Sequence, residues 1–321
     1  GDSGDSGDSG DSGDSGDVRT FITDISTITS SITERSGHSM VTIGTDIYIF
    51  GGFNYTSHLN DFYKIDTLTN SIVYSNVLSD IMPRFGHSMV AISSNIYIYG
   101  GQTNSYTTNS YHNDFIKIDT TNCNIVYSNN DLNGITGRTE HSMIAIGNDI
   151  YIYGGKDYNF DQLSLNDFYK IDATNCNIVY SNNNLSDITG KNMHSMVSIN
   201  NDIYIFGGNK FTSGGLNNNF YKIDTTTCNV VYIDTDLSGI TARKKHSMVA
   251  IESNIYIFGG LGANYLNDFY KIDATNCNVV YSNSDLSEIN LRHSHSMVAI
   301  NNDIYIFGGF NDNYLNDFYK I

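Results

Sequence analysis

Residues 35–52 read Arg35-Ser36-Gly37-His38-Ser39-Met40-Val41-Thr42-Ile43-Gly44-Thr45-Asp46-Ile47-Tyr48-Ile49-Phe50-Gly51-Gly52, and this phrase recurs along the chain. His-Ser-Met starts at His38, His87, His141, His194, His246 and His295, at intervals of 49, 54, 53, 52 and 49 residues. Every copy has the same grammar. A short apolar run meets a Gly/Asn/Asp/Ser turn, and a second run ends in a double glycine. A loop of varying length follows, then a phrase like Asn60-Asp61-Phe62-Tyr63-Lys64-Ile65-Asp66, a polar turn, and a last run such as Ile72-Val73-Tyr74. Short runs rich in Ile, Val, Tyr and Phe between turn-forming clusters are strands and hairpins. No stretch keeps a helical period, so each repeat is a four-stranded antiparallel meander and the chain is all-β.

One such sheet cannot cover both of its apolar faces, so successive copies must stack. A period near 50 residues with four strands per copy predicts a six-bladed propeller. The Arg-x-x-His-Ser start, the Tyr-Ile-Phe-Gly-Gly strand end and the Asn-Asp-Phe-Tyr-Lys-Ile-Asp strand resemble the kelch repeat, over residues 18–321. One departure stands out. Kelch repeats usually open the fourth strand with tryptophan, and this chain has none. Ile72, Ile125, Ile178, Val230 and Val279 occupy that place, keeping burial and β-propensity while losing aromatic packing.

The sixth copy ends at Tyr319-Lys320-Ile321, after its third strand, while β-prone residues Phe21-Ile22-Thr23-Asp24-Ile25 precede the first copy. Residues around 18–30 are therefore expected to supply the missing fourth strand and close the ring. The domain division that follows is 1–17 as a tail and 18–321 as the propeller.

Residues 1–17 repeat Gly-Asp-Ser five times and end in Gly-Asp. Glycine at every third position is the collagen period, because only glycine fits at the axis of a triple helix. A flexible acidic linker is the other reading, favoured by the lack of proline and of basic residues. The tract is similar to the collagen-like proteins of large DNA viruses. That resemblance implies a longer stalk, a homotrimer, and propeller heads displayed on a fibre or virion surface. The chain opens at Gly1 without methionine and reads as a piece of something longer.

Charge narrows the partners. The chain has 34 acidic and 17 basic residues, a formal net charge of -17. Outside the tail the acids still outnumber the bases. Nucleic acid and anionic membrane surfaces both select positive charge, so neither is expected as a partner. No apolar run approaches the roughly 20 residues of a membrane helix, and 40% hydrophobic content fits a chain with a sizeable core. The four cysteines, Cys123, Cys176, Cys228 and Cys277, are one repeat position copied, with Asn70 in that slot of the first blade. They are expected to be free thiols, which suits a reducing compartment such as the cytoplasm. They are neither a disulfide framework nor a metal site.

Candidate binding residues fall on one face. In a meander blade, the loops between strands two and three share a face with the loops between blades. The former vary most, at 53–59, 102–112, 156–165, 209–217, 261–266 and 310–315. They carry Tyr55, Tyr106, Tyr111, Tyr158, Tyr265 and Tyr314, suited to a protein or glycan ligand. Three residues before each repeated histidine stand Arg35, Arg84, Arg138, Lys191, Arg243 and Arg292. In some kelch proteins arginines in this register grip acidic peptides, so the resemblance implies a cationic rim around the channel mouth. The competing reading pairs each cation with a neighbouring blade's aspartate or a carbonyl. The six histidines are spread one per blade and are expected to bond between blades rather than hold a metal. His58, His112 and His293 occur in single blades, but no nucleophile-base-acid set stands out. The expected function is non-enzymatic recognition or display, with no cofactor. An adaptor for acidic peptides inside a cell and an enzyme with its site in the loop face are the alternatives.

Overall fold

A computed structural model describes residues 21–104, 109–129, 132, 134–157, 164–185, 187–210, 215–234, 236–237 and 239–321. The triplet tail lies outside the described residues. Six four-stranded antiparallel sheets follow one another around a ring. The first blade is built from Ser39–Ile43, Asp46–Phe53, His58–Asp66 and Ser71–Val77 in spatial order. Blades two to five repeat the pattern from Ser88, Ser142, Ser195 and Ser247. In the sixth blade, Ser296–Ile300, Asp303–Phe310 and Tyr314–Lys320 are completed by Thr23–Asp24, which pairs Thr23 with Lys320 and Asp24 with Tyr319. The expected closure by the N-terminal segment is present. It is reinforced where Ile25 N–H donates to Phe318 O, Thr29 Oγ1 to Asn316 O, and Asn316 Nδ2 to Ile32 O.

The second strands explain why blades stack. Ile47, Tyr48, Ile49 and Phe50 are all buried, because a strand in mid-blade meets a neighbour on each face. Core clusters accordingly span adjacent blades, as where Tyr97 and Tyr99 of the second blade pack with Ile150 and Ile152 of the third. The aliphatic residues at the tryptophan position, such as Ile125 and Ile178, pack against these clusters. Each cysteine is buried and free, and takes a left-handed backbone in the turn between strands three and four. Asn70 adopts the same conformation in the first blade.

Two closed hydrogen-bond rings tie the inner strands together. Each repeated serine donates Oγ to the carbonyl of the next blade's histidine, from Ser39 to His87 onward, and Ser296 closes on His38. Above them lies a backbone collar formed by the residue before each histidine. Gly86 N–H donates to Gly37 O, Glu140 to Gly86, Met193 to Glu140, Lys245 to Met193, Ser294 to Lys245, and Gly37 to Ser294, at 2.8 to 2.9 Å. All six collar residues have φ between 53° and 65°.

Candidate functional site

The repeated cations are structural clamps. Arg35 Nη1 and Nη2 reach Asp61 Oδ1 and Oδ2 at 2.6 and 2.7 Å, and Nη1 also donates to Gly51 O. Arg84 grips Asp114, Arg138 Asp167, Arg243 Asp268 and Arg292 Asp317 in the same two-toothed way. All five guanidinium side chains have no exposed surface. Planar fork geometry and complementary charge make this an effective buried pair, and it joins the segment entering a blade to an aspartate in or directly before that blade's own third strand. The expected cationic rim is therefore corrected: the arginines are withdrawn from the channel mouth, and their partners lie in their own blades.

Blade four departs from the rule. Lys191 replaces arginine and Asn219 stands in the aspartate's place. The ammonium is fully buried, donates to Asn217 Oδ1 at 2.9 Å, and lies 5.0 Å from the centre of the Tyr221 ring. Burial, with Lys210 adding repulsion, lowers its pKa to about 7.

The histidines are also scaffold. Each imidazole packs edge-on against an aromatic ring of the preceding blade, as His87 does on Phe50 at 5.1 Å and His141 on Tyr99 at 5.3 Å. The expected inter-blade bond exists but is made by the histidine carbonyl, whereas both ring nitrogens are buried and make no hydrogen bond of ordinary geometry among the described residues. Glycine is required beside them. A Cβ on Gly100 would stand 2.6 Å from Arg138 O and 2.8 Å from His141 Cε1. Burial, and then the nearby clamp cation, pushes His87 and His194 down to about 3 and His38, His141, His246 and His295 well below their usual range.

The mouth is a cavity of about 440 Å³ on the face that carries the inter-blade loops. Its lining includes the collar residues Gly37, Gly86, Glu140, Met193, Lys245 and Ser294, together with Ser36, Phe53, Phe85, His293, Phe310 and Tyr314. Deeper, the channel narrows through rings of the repeated serines and methionines.

Around this mouth the sixfold symmetry is broken in two directions. Aromatic side chains form an arc over blades five, six, one and two. His58 stacks on Phe85 at 5.3 Å, Phe53 meets His58 and Tyr314, Tyr55 meets Tyr314 at 4.6 Å, and Phe310 links Tyr314 to His293 and Tyr265. The other arc is cationic. Among the described residues, the basic side chains outside the two repeated positions are Lys156, Lys210, Lys244 and Lys245, all on this face in blades three to five. Lys156 pairs with Glu140 at 3.0 Å. Lys244 and Lys245 have no carboxylate within ion-pairing distance among the described residues.

Of the tyrosines expected at the site, Tyr55, Tyr265 and Tyr314 come together in the aromatic arc. The Tyr55 and Tyr265 hydroxyls both bond the 310–315 loop, to Asn313 Oδ1 and Asp312 Oδ1. Tyr111 sits half-buried in a short strand of blade two, while Tyr106 and Tyr158 lie outside the described residues. His112 bonds Thr103 Oγ1 at 2.9 Å, and burial followed by Arg84 lowers its pKa to about 4. Sequence reasoning passes over the collar. Its six residues immediately precede the constant His-Ser-Met and differ in character around the ring, and that contrast with an invariant neighbour is the signal that marks them.

Residues 37–184 and 177–321 match the KLHDC2/KLHL20/DRC7 Kelch-repeats domain. The chain belongs to this Kelch-repeat family. Kelch propellers are generally protein-binding modules, which agrees with a loop face that departs from the repeat. The solved structure titled "Structure of YjhT" aligns with a TM-score of 0.71 at 15% identity, covering 89% of this chain and 93% of that one. At that identity the likeness concerns the fold alone. No curated protein matches this Kelch-repeat chain. Among the described residues, no helix is long and apolar enough to cross a membrane.

Proposed function

We propose that the chain is a recognition module that reads a protein ligand with the loop face of its propeller, and that it binds rather than catalyses. One observation carries this reading: departures from the repeat concentrate around one mouth, as an aromatic arc facing an arc of lysines that lie outside the repeated positions. Aromatic and cationic side chains dominate the energetics of protein recognition when they sit in a partly desolvated concavity. A binding reading also suits the repeated histidines, which are neutral and wedged between blades, and the cysteine thiols, which burial pushes above their usual range.

The unbroken glycine period of residues 1–17 supports a display setting, with the propeller as the head of a collagen-like stalk. Glycans are the other ligand class that such rings accommodate.

An array of peptides and glycans, read with the parent and a Tyr55→Ala/Tyr265→Ala variant, tests the proposal. Saturable peptide binding that weakens about tenfold or more in the variant is the expected outcome. Peptide binding unaffected by the variant would move recognition off this face. Glycan binding alone would replace the protein reading.

A further inference from the structure

We propose that the mouth cavity is a binding site for a flat apolar ring bearing an anionic group, with the ring against the aromatic arc and the anion on Lys245. This deepens the loop-face reading and rests on it. The first support is the collar backbone. A left-handed conformation strains a residue with a Cβ, and glycine adopts it freely. Blades one and two use glycine there, at Gly37 and Gly86, but the others hold Glu140, Met193, Lys245 and Ser294 at φ 53–58°. The collar bonds run through backbone atoms only, so closure does not call for these side chains. Strain retained where glycine would remove it points to a use for the side chain.

The second support is how the cavity is divided. The half formed by Gly37 and Gly86 has no collar side chain and is walled by Phe53, Phe85, Phe310 and Tyr314. Flat apolar faces pack well against such edges. Across from Gly86 stands Lys245, whose chain neighbour Lys244 adds a second charge. Glu140 is occupied by Lys156. Burial lowers the pKa of Lys245, and Lys244 and Lys156 lower it further against the attraction of Glu140. His293, neutral and buried beside it, offers no countercharge. An incoming anion would relieve that repulsion, and in a recess shielded from water its bond to the ammonium is strengthened.

The test is calorimetric titration of the whole chain with phenyl phosphate, phenylacetate, inorganic phosphate and benzyl alcohol. Both aryl anions should saturate one site, and inorganic phosphate and benzyl alcohol should bind at least about tenfold more weakly. Lys245→Gly should weaken the aryl anions by a similar factor while raising Tm by about 2 °C, because the left-handed strain is released. Lys245→Gln, which keeps the strain, should lose affinity without that rise. A phosphotyrosyl peptide binding more tightly than phenyl phosphate would assign the ring to a protein segment, and the reverse order to a free small molecule. Equal affinity for phenyl and inorganic phosphate, equal affinity for phenylacetate and benzyl alcohol, or unchanged affinity in Lys245→Gly would each overturn the proposal. If none of the probes binds while array peptides still depend on Tyr55 and Tyr265, this inference falls and the loop-face reading stands.

Discussion

Ser296 Oγ donates to the carbonyl of His38 at 2.9 Å, making across the joint between the chain's two ends the same bond that Ser39 makes to His87 inside it. The joint thus repeats the serine bond of the other five blade contacts, while its outer strand, Thr23–Asp24, comes from the opposite end of the sequence and is shorter than the fourth strands of the other blades.

The outer part of that joint is a sensitive point. Ile32 is 1% exposed and packs with Ile47, Ile49 and Phe307 where the first and last blades meet. Ile32→Ala should cost about 2–4 kcal/mol in denaturant unfolding. Deleting residues 18–34 should leave the sixth blade open and give an unfolded or oligomeric chain. A truncated monomer melting like the parent would refute closure by this segment.

Acid should unfold the propeller steeply. Each repeated histidine is neutral when folded and accepts a proton when unfolded below about pH 6.5, so stability present at neutral pH is lost as the pH falls. Each histidine contributes about 1.4 kcal/mol per pH unit until its own folded pKa, about 3 for His87 and His194, is reached. Six act together against a typical total of roughly 5–15 kcal/mol. Unfolding followed by circular dichroism should have its midpoint between about pH 4.5 and 6, with uptake of several protons. A transition confined below pH 4 would contradict it.

Blade four should respond to alkali where the arginine-clamped blades do not. The folded pKa of Lys191 lies near 7 against a usual 10.5, so unfolding takes up a proton over that interval and stability rises with pH across it. The paired change Lys191→Arg/Asn219→Asp should rebuild the clamp of the other blades, raise stability at pH 7, and abolish that slope. Lys191→Arg alone should lose stability, because the buried guanidinium would lack its carboxylate and cannot shed its charge. Urea midpoints from pH 7 to 10 decide the matter.

Breaking a complete clamp should cost more than removing an ordinary surface pair. Asp167→Asn leaves Arg138 buried without its counterion and should lose about 3–5 kcal/mol, measured by denaturant unfolding. A loss under 1 kcal/mol would mean that water reaches the guanidinium.

The cysteines should be silent in the native state. Each is buried and its thiol is pushed upward, so thiolate is scarce and access is poor. A thiol reagent should label none of them rapidly at pH 7.5 and all four after unfolding. Fast labelling of Cys176 in the folded protein would count against the packing seen there.

The propeller is legible in the sequence because its determinants are local and repeated: strand alternation, turn residues, and a spacing that one number describes. Closure is legible too. Ile22 stands 13 residues before Arg35, the spacing that also separates Ile125 from Arg138 and Ile178 from Lys191, so the N-terminal segment carries the fourth-strand position of a blade. The role of the arginines is harder to read, because a charge looks exposed until its partner is known. The partner is nevertheless written in the sequence. Wherever arginine stands three residues before the histidine, Asn-Asp precedes the Phe of that blade's third strand, and in the blade of Lys191 that Phe is preceded by Asn218-Asn219. The aromatic arc and the lysine arc are not legible as such, because their members are scattered through the chain and meet only when the ring closes.

The collar lets one requirement be met without constraining another. Its bonds pass from peptide to peptide, so the wheel turns on an axle made of main chain alone, and the side chains it carries can be exchanged one at a time. Gly86 is the fixed point, since a Cβ there would collide with Thr139 Oγ1 across the seam. A new occupant of the mouth could be accommodated by rewriting positions 37, 140, 193, 245 and 294, each within the narrow set that a left-handed backbone tolerates, while the main-chain ring stays as it was.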